Sequence, residues 1–238
     1  MPHKRETTVQ NGQFGKGFRA EAVKLKTAKG RSSSSQRWLH RQLNDPYVQE
    51  AQRLGYRSRS AFKILQLNDR FTFFKVGQKV IDLGAAPGGW TQVAAKKVLK
   101  EGGTGQVTAL DRVEMEPIPG TRFVKGDFMS MEVIDRLALS LDGRTDLILS
   151  DMAAPTTGHA ATDHLRTIAL CEAAYEFAVG VLAFGGGFVS KVFKGGSERN
   201  LLKCMKQDFE FVRHAKPAAS RTESPETYVV AVGFRKGK

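Results

Sequence analysis

The sequence predicts an α/β fold: a mostly parallel sheet of seven strands with helices on both faces. Three observations predict it. Short apolar runs alternate with helical patterns along most of the chain. Some runs, Leu147-Ile148-Leu149 most clearly, are apolar without polar alternation, as strands buried on both faces must be. A glycine-rich turn, Gly84 to Gly89, joins a strand-like run to a helical one, where open α/β sheets bind a nucleotide-like ligand.

Residues 1–36 are polar, rich in Gly and Lys, and end in the run Ser32 to Ser35. They bury too little apolar surface to offset ordering entropy, so a disordered basic arm is expected there. A single domain over 37–238 follows. Asp45-Pro46 places a capping residue before a proline at the first helical position, and Gly55 stops that helix. A second helix is expected over 60–68, with Phe62, Leu65 and Leu67 facing inward. Strands are expected at 79–83, 106–110, 121–125, 146–150, 187–193, 210–214 and 227–233. After Asp163, the residues Leu165, Ile168, Cys171, Tyr175, Ala178, Val179 and Leu182 recur at helical spacing and mark a core face.

Composition narrows the function classes. The chain has 238 residues, enough for one full core. With 41% hydrophobic and 26% charged residues it is not disordered as a whole. It has no apolar run of about 18 residues, so no membrane-spanning helix is expected. Its first residues lack the apolar core of a secretory signal. Cys171 and Cys204, the only cysteines, cannot build a metal cluster. The expectation is a cytoplasmic, metal-free monomer. Net charge is +13, and residues 1–60 hold thirteen Lys and Arg against four acids. That asymmetry suits a polyanionic partner held by phosphate neutralisation, or equally a solubilising tail. A lipid surface fits less well, because no apolar face accompanies the charge.

Several polar residues then stand out. Glycines in the 84–89 turn allow close backbone approach to a ligand, and the following helix aims amides at it. Asp111 ends the next strand, 22 residues after Gly89, where a carboxylate can accept both hydroxyls of a ribose. Asp127, after the third strand, can accept from the exocyclic amine of adenine. The same spacing imitates a dinucleotide fingerprint, although Pro87 removes an amide a pyrophosphate would use. A glycine turn without ligand is the plainer alternative. Asp151 ends the fourth strand. Lys191 lies inside the apolar run 187–193, either buried and paired or snorkelling from an edge strand. Glu226 opens the last strand and reads alone as a turn acid, and Lys63 reads alone as a surface helix residue.

Taken together, Lys63, Asp151, Lys191, Glu226 and the 82–90 loop DLGAAPGGW resemble the FtsJ-type ribose 2'-O-methyltransferases. That family includes bacterial enzymes that methylate a uridine of 23S ribosomal RNA. The likeness runs from about Ser34 to Phe234, strongest in RSRSAFK, the glycine loop, SDMA, VSKVF and ETYVV. It implies a Rossmann-like methyltransferase fold using S-adenosylmethionine. It also implies a Lys-Asp-Lys-Glu catalytic tetrad at Lys63, Asp151, Lys191 and Glu226. The cofactor contacts it implies are Gly88, Trp90, Asp111, Asp127 and Asp151, within a loop that also holds Gly84 and Gly89. The implied partner is ribosomal RNA in the large subunit. Two departures stand out. The family's Ala-Pro-Asn after the fourth-strand acid is replaced by Ala153-Ala154-Pro155-Thr156, and Pro225 precedes Glu226 where a basic residue is common.

The chemistry requires a ribose hydroxyl to lose its proton while attacking a sulfonium methyl. A lysine acts as base only when its proton affinity is lowered; a neighbouring cation lowers it and neighbouring carboxylates raise it. Lys191 is therefore either the base or an orienting group, and in-line positioning can supply most of the acceleration. Three other readings compete. One is a 2'-O-methyltransferase acting on transfer RNA or a messenger RNA cap. Another is an NAD-dependent oxidoreductase, which leaves Lys191 and the basic arm unexplained. The third is an inactive RNA-binding protein, against which the tetrad argues.

Overall fold

The structure, a computed structural model, describes residues 32–155, 157–193 and 199–236. The arm expected over 1–36 thus lies outside the described residues except for its last few. Those few are helical: α1 spans Ser33–Leu43, and Ser32 caps it by accepting from the Ser35 amide at 3.2 Å. Helix thus extends into the last residues of the segment read as an arm, where a serine, poor in helix interiors, makes a good N-cap. α2 (Pro46–Arg53) starts as expected, with Asp45 accepting from the Tyr47 amide at 3.0 Å. α3 covers Ser60–Phe71 and buries Phe62, Ile64 and Leu67.

Then follow β1 (Lys79–Leu83), α4 (Gly89–Val98), β2 (Gln106–Asp111), β3 (Thr121–Lys125), α5 (Met131–Leu139) and β4 (Thr145–Ser150). The chain continues through α6 (Ala160–Val181), β5 (Leu182–Phe193), α7 (Arg199–Asp208), β6 (Phe209–Ala215) and β7 (Glu226–Phe234). All seven expected strands are present. β5 begins earlier than expected: Thr145 pairs with Leu182, and a register shift precedes Leu147 opposite Gly187. Leu182, read as the last helical core position, is thus a strand residue. Leu165 departs from the expected stripe and is 59% exposed. The first turns of α6 are tied to the preceding loop instead, where Arg166 donates to the Pro155 carbonyl and Asp163 accepts from Thr157.

The sheet order is β3-β2-β1-β4-β5-β7-β6. β1 to β5 run parallel, and β7 is antiparallel to both its neighbours. Both faces are covered, which explains the unalternating strands. Ile148 faces the layer that includes α6, with Ile168, Cys171 and Phe188, while Leu147 and Leu149 face the layer of α3 and α4, with Ile64, Trp90 and Val93. No described helix is long and apolar enough to cross a membrane.

Candidate active site

The site forms at the edge where the parallel strands end. β7, running the other way, brings its first residue to that edge: Phe193 stands opposite Glu226, and Lys191 opposite Tyr228. The pleat then selects the face. Leu147, Leu149, Val189, Tyr228 and Val230 all pack into the α3–α4 layer. Continuing the same alternation carries Asp151, Lys191 and Glu226 to that layer, where α3 supplies Lys63.

The four expected tetrad residues meet as two ion pairs. Lys63 Nζ lies 2.8 Å from Glu226 Oε1 and donates to Oε2 at 2.9 Å. Lys191 Nζ lies 3.0 Å from Asp151 Oδ1 and donates to the Asp151 carbonyl at 2.7 Å. The snorkelling alternative for Lys191 is overturned: β5 is an interior strand and the residue is 8% exposed. Burying a cation costs several kcal/mol unless it is paired, and here two oxygens of one residue pair it.

Tyr228 joins the pairs, and the sequence reading did not single it out. Its hydroxyl donates to Asp151 Oδ1 at 3.0 Å, and Lys63 Nζ lies 5.8 Å from its ring centre. Burial first, then the charges of Asp151 and Glu226, push its pKa well above the ordinary phenol value, so it is a neutral donor. Its only sequence signal was its place two residues after Glu226 on one strand face. Burial pushes the Glu226 pKa up. Lys63, then Lys191 and hydrogen bonds from Lys63 and Ser220, outweigh that and hold it below the usual carboxylate value.

Beside Asp151 opens a cavity of about 440 Å³. Gly84, Asp111, Asp127 and Asp151 line it, with Leu110, Phe128 and Met152 among its apolar walls. Asp111 accepts from the amides of Ala86 at 2.9 Å and Val113 at 2.8 Å. Asp127 accepts from the Met129 amide at 3.0 Å and pairs with Arg112 at 3.4 Å. Backbone amides thus fix both carboxylates while each oxygen retains acceptor capacity. The size falls within the roughly 300–1,000 Å³ of small-molecule sites. Three carboxylates beside apolar walls fit a positively charged nucleoside such as S-adenosylmethionine.

Gly88, Gly89 and Trp90 do not line this cavity. A Cβ on Gly89 would sit 2.3 Å from Ser58 Oγ, and one on Gly88 would sit 2.9 Å from the Ile118 side chain. Their missing side chains leave room for neighbouring protein atoms. Trp90 is 2% exposed and donates from Nε1 to the Ser60 carbonyl at 2.9 Å. Gly89 and Trp90 keep first-turn amides of α4 that can donate to a ligand, whereas the Gly88 amide donates to the Ala85 carbonyl at 2.7 Å. Gly84 does border the cavity: its φ is +75°, and a Cβ there would meet Met152 backbone at 2.9 Å. The motif RSRSAFK and the glycine loop also fold as one unit, since Arg57 donates to the carbonyls of Pro87 at 3.3 Å and Pro117 at 2.8 Å.

Two further features complete the surroundings. Asp82, buried beneath the loop, accepts from Thr91 Oγ1 at 2.6 Å, while its Oδ1 lacks a partner among the described residues. Burial raises its pKa to about 7, with Asp151 and Asp111 adding to the rise and Thr91 opposing it. Ala153, Ala154 and the displaced Pro155 wall the cavity, whereas Thr156 lies outside the described residues.

Residues 56–234 match the family described as FtsJ-like methyltransferase. The chain is 58% identical to Ribosomal RNA large subunit methyltransferase E of Paramagnetospirillum magneticum, over 96% of this chain and 94% of that protein. It is 52% identical to the protein of the same name from Xanthobacter autotrophicus, over 96% of this chain and 89% of that one. Among solved structures, it resembles a ribosomal RNA methyltransferase from Plasmodium falciparum with a TM-score of 0.68 and 29% identity, covering 77% of this chain and 100% of that one.

Proposed function

The chain belongs to the FtsJ-like methyltransferase family, and from that premise we propose that it methylates the ribose 2'-hydroxyl of a uridine in 23S ribosomal RNA of the large subunit, using S-adenosylmethionine and acting as a cytoplasmic monomer. The observation that carries the proposal is the pair of lysine–carboxylate bridges, Lys63–Glu226 and Lys191–Asp151, beside the carboxylate-lined cavity. When bound, S-adenosylmethionine supplies an electrophilic methyl group on a sulfonium.

In this reading Asp111 accepts the ribose hydroxyls of the cofactor, Asp127 its adenine amine, and Asp151 faces its positive end. Gly84 lets the loop pass close, Gly88 at φ +109° turns it into α4, and Gly89 and Trp90 act through first-turn amides of α4. Lys191 has three N–H donors, two of them directed at Asp151. The third direction holds the 2'-oxygen of the RNA in line with the methyl group. Lys63 and Glu226 bracket the other side of that ribose. Asp111, Asp127 and Asp151 would present the methyl group of S-adenosylmethionine to that oxygen, and the hydroxyl proton would pass to the Asp151 carboxylate that pairs with Lys191. A lysine tied to two oxygens of one residue serves first as an orienting group, so in-line positioning carries the larger part of the rate.

The test is methyl transfer from labelled S-adenosylmethionine to large subunits, free 23S RNA and transfer RNA, all from a strain lacking the gene. One methyl group per 23S RNA, mapped to a uridine 2'-oxygen, is expected. Labelling of transfer RNA alone, or tight binding of NAD with no transfer, would overturn the assignment.

A further inference from the structure

The loop between β6 and β7, residues 216–225, presents a buried hydroxyl that the reaction above leaves unused. Ser220 is 5% exposed, and its Oγ donates to Glu226 Oε1 at 2.8 Å. That same oxygen lies 2.8 Å from Lys63 Nζ. A lysine reaches its partner on a long, flexible stem, so Lys63 alone leaves the carboxylate free to swing. A serine on a one-carbon stem fixes a direction.

The backbone that presents this hydroxyl is itself pinned. The Ser220 amide donates to the Pro217 carbonyl at 2.9 Å. Ala219, fully buried, donates to Gln66 Oε1 at 2.8 Å and accepts from Arg59 Nη2 at its carbonyl. Lys216 Nζ closes the loop by donating to the carbonyls of Thr222 at 3.0 Å and Ser224 at 2.6 Å. Gln66 lies on α3, and Arg59 is its N-cap. The helix that carries Lys63 therefore also anchors the loop that carries Ser220, and the two donors meet on Glu226.

Resting on the methyltransferase reading, we infer that Ser220 is a positioning residue, holding the Glu226 carboxylate, and through it Lys63, at the angle the RNA ribose requires. A hydroxyl that merely satisfied buried polar atoms would affect stability and leave the chemistry alone. The difference lies in the ionisation of Glu226. The charged and titratable groups around it are Lys63 and Arg59 from α3 and its cap, Lys191 on β5, Asp151 after β4 and Tyr228 on β7. Removing a donor from the ionised carboxylate raises its proton affinity, so the acid limb of the rate moves to higher pH.

The experiment is single-turnover methyl transfer across pH for wild type, Ser220→Ala, Ser220→Thr, Glu226→Gln and the Ser220→Ala/Glu226→Gln double variant. Ser220→Ala should lower the rate about 2- to 10-fold at neutral pH, the scale of one hydrogen bond. Its acid limb should shift upward and its KM for S-adenosylmethionine should not change. Ser220→Thr should restore both rate and profile. In the Glu226→Gln background Ser220→Ala should cost nothing further, because the coupling partner is gone. A wild-type pH profile in Ser220→Ala, or a full additional loss in the double variant, overturns the role. Should Ser220→Ala fold poorly, Ser220→Cys weakens the donor at similar volume and carries the same comparison. A wild type that binds cofactor and RNA without transferring a methyl group overturns the functional reading and Ser220 with it, so the two failures read differently.

Discussion

Lys191 is the most exposing probe of the site because its burial and its pairing are both unusual. Lys191→Met keeps the apolar stem and removes the ammonium. The expected result is a folded protein that still binds S-adenosylmethionine yet transfers methyl at least about a hundredfold more slowly, the scale of a misplaced reacting group. Single-turnover transfer at saturating RNA checks it, and near-wild-type turnover would remove Lys191 from the mechanism. Two acids make opposite pH predictions. Glu226 titrates below its ordinary 4.5 in the folded protein. Its contribution to stability is present above that value and lost as pH falls through the folded pKa. Asp82 titrates near 7 instead of 3.8. Its contribution is complete below 3.8 and lost as pH rises through about 7, so Asp82→Asn should stabilise the protein at pH 8 and change little near pH 4. Urea unfolding of both proteins at several pH values tests this; a constant difference across pH would refute it. Lys191 stood out in the sequence because a charge inside an apolar strand is costly. Tyr228 and Ser220 did not, since a tyrosine in a strand and a serine in a loop are ordinary until their partners are known.

At the scale of elements, the glycine loop was legible as a strand–turn–helix, but the purpose of each glycine was not. Gly84 and Gly89 are both required, for different neighbours: Met152 at the cavity, and Ser58 on the segment leading into α3. Gly84→Ala places a side chain at positive φ against backbone and should destabilise the fold by about 1–3 kcal/mol while weakening cofactor binding. Urea unfolding and calorimetry check the two parts. Asp111→Ala should weaken S-adenosylmethionine binding by about 1–3 kcal/mol through lost charge-assisted hydrogen bonds. Part of that loss arises from the Ala86 amide, which Asp111 also holds; unchanged affinity by calorimetry would exclude Asp111 from the site. Strands were read well because both faces of the sheet are covered. The start of β5 was not, because Gly185 and Gly186 look like a loop, whereas Leu182 ahead of them already pairs with Thr145 across a register shift.

For the molecule as a whole, the charge asymmetry and the sheet were legible, whereas the strand order was not. Alternation alone does not say that β7 lies between β5 and β6, and only that insertion explains how Glu226 reaches Lys63 across 163 residues. Residues 1–31 hold eight Lys and Arg against two acids. Deleting them should weaken RNA binding and flatten its salt dependence while leaving cofactor affinity intact. Binding measured from low to moderate salt checks this, and an unchanged slope would reduce the segment to a solubilising role. The insertion of β7 also bears on the order of assembly. β5 and β6 are synthesised before the strand that separates them, so until β7 arrives each presents an unpaired edge, a template for wrong partners. The strand that closes those edges is the one that delivers Glu226 and Tyr228. A nascent chain therefore gains Glu226 and Tyr228 with the same strand that closes the open edge of β5 and joins β6 to the sheet.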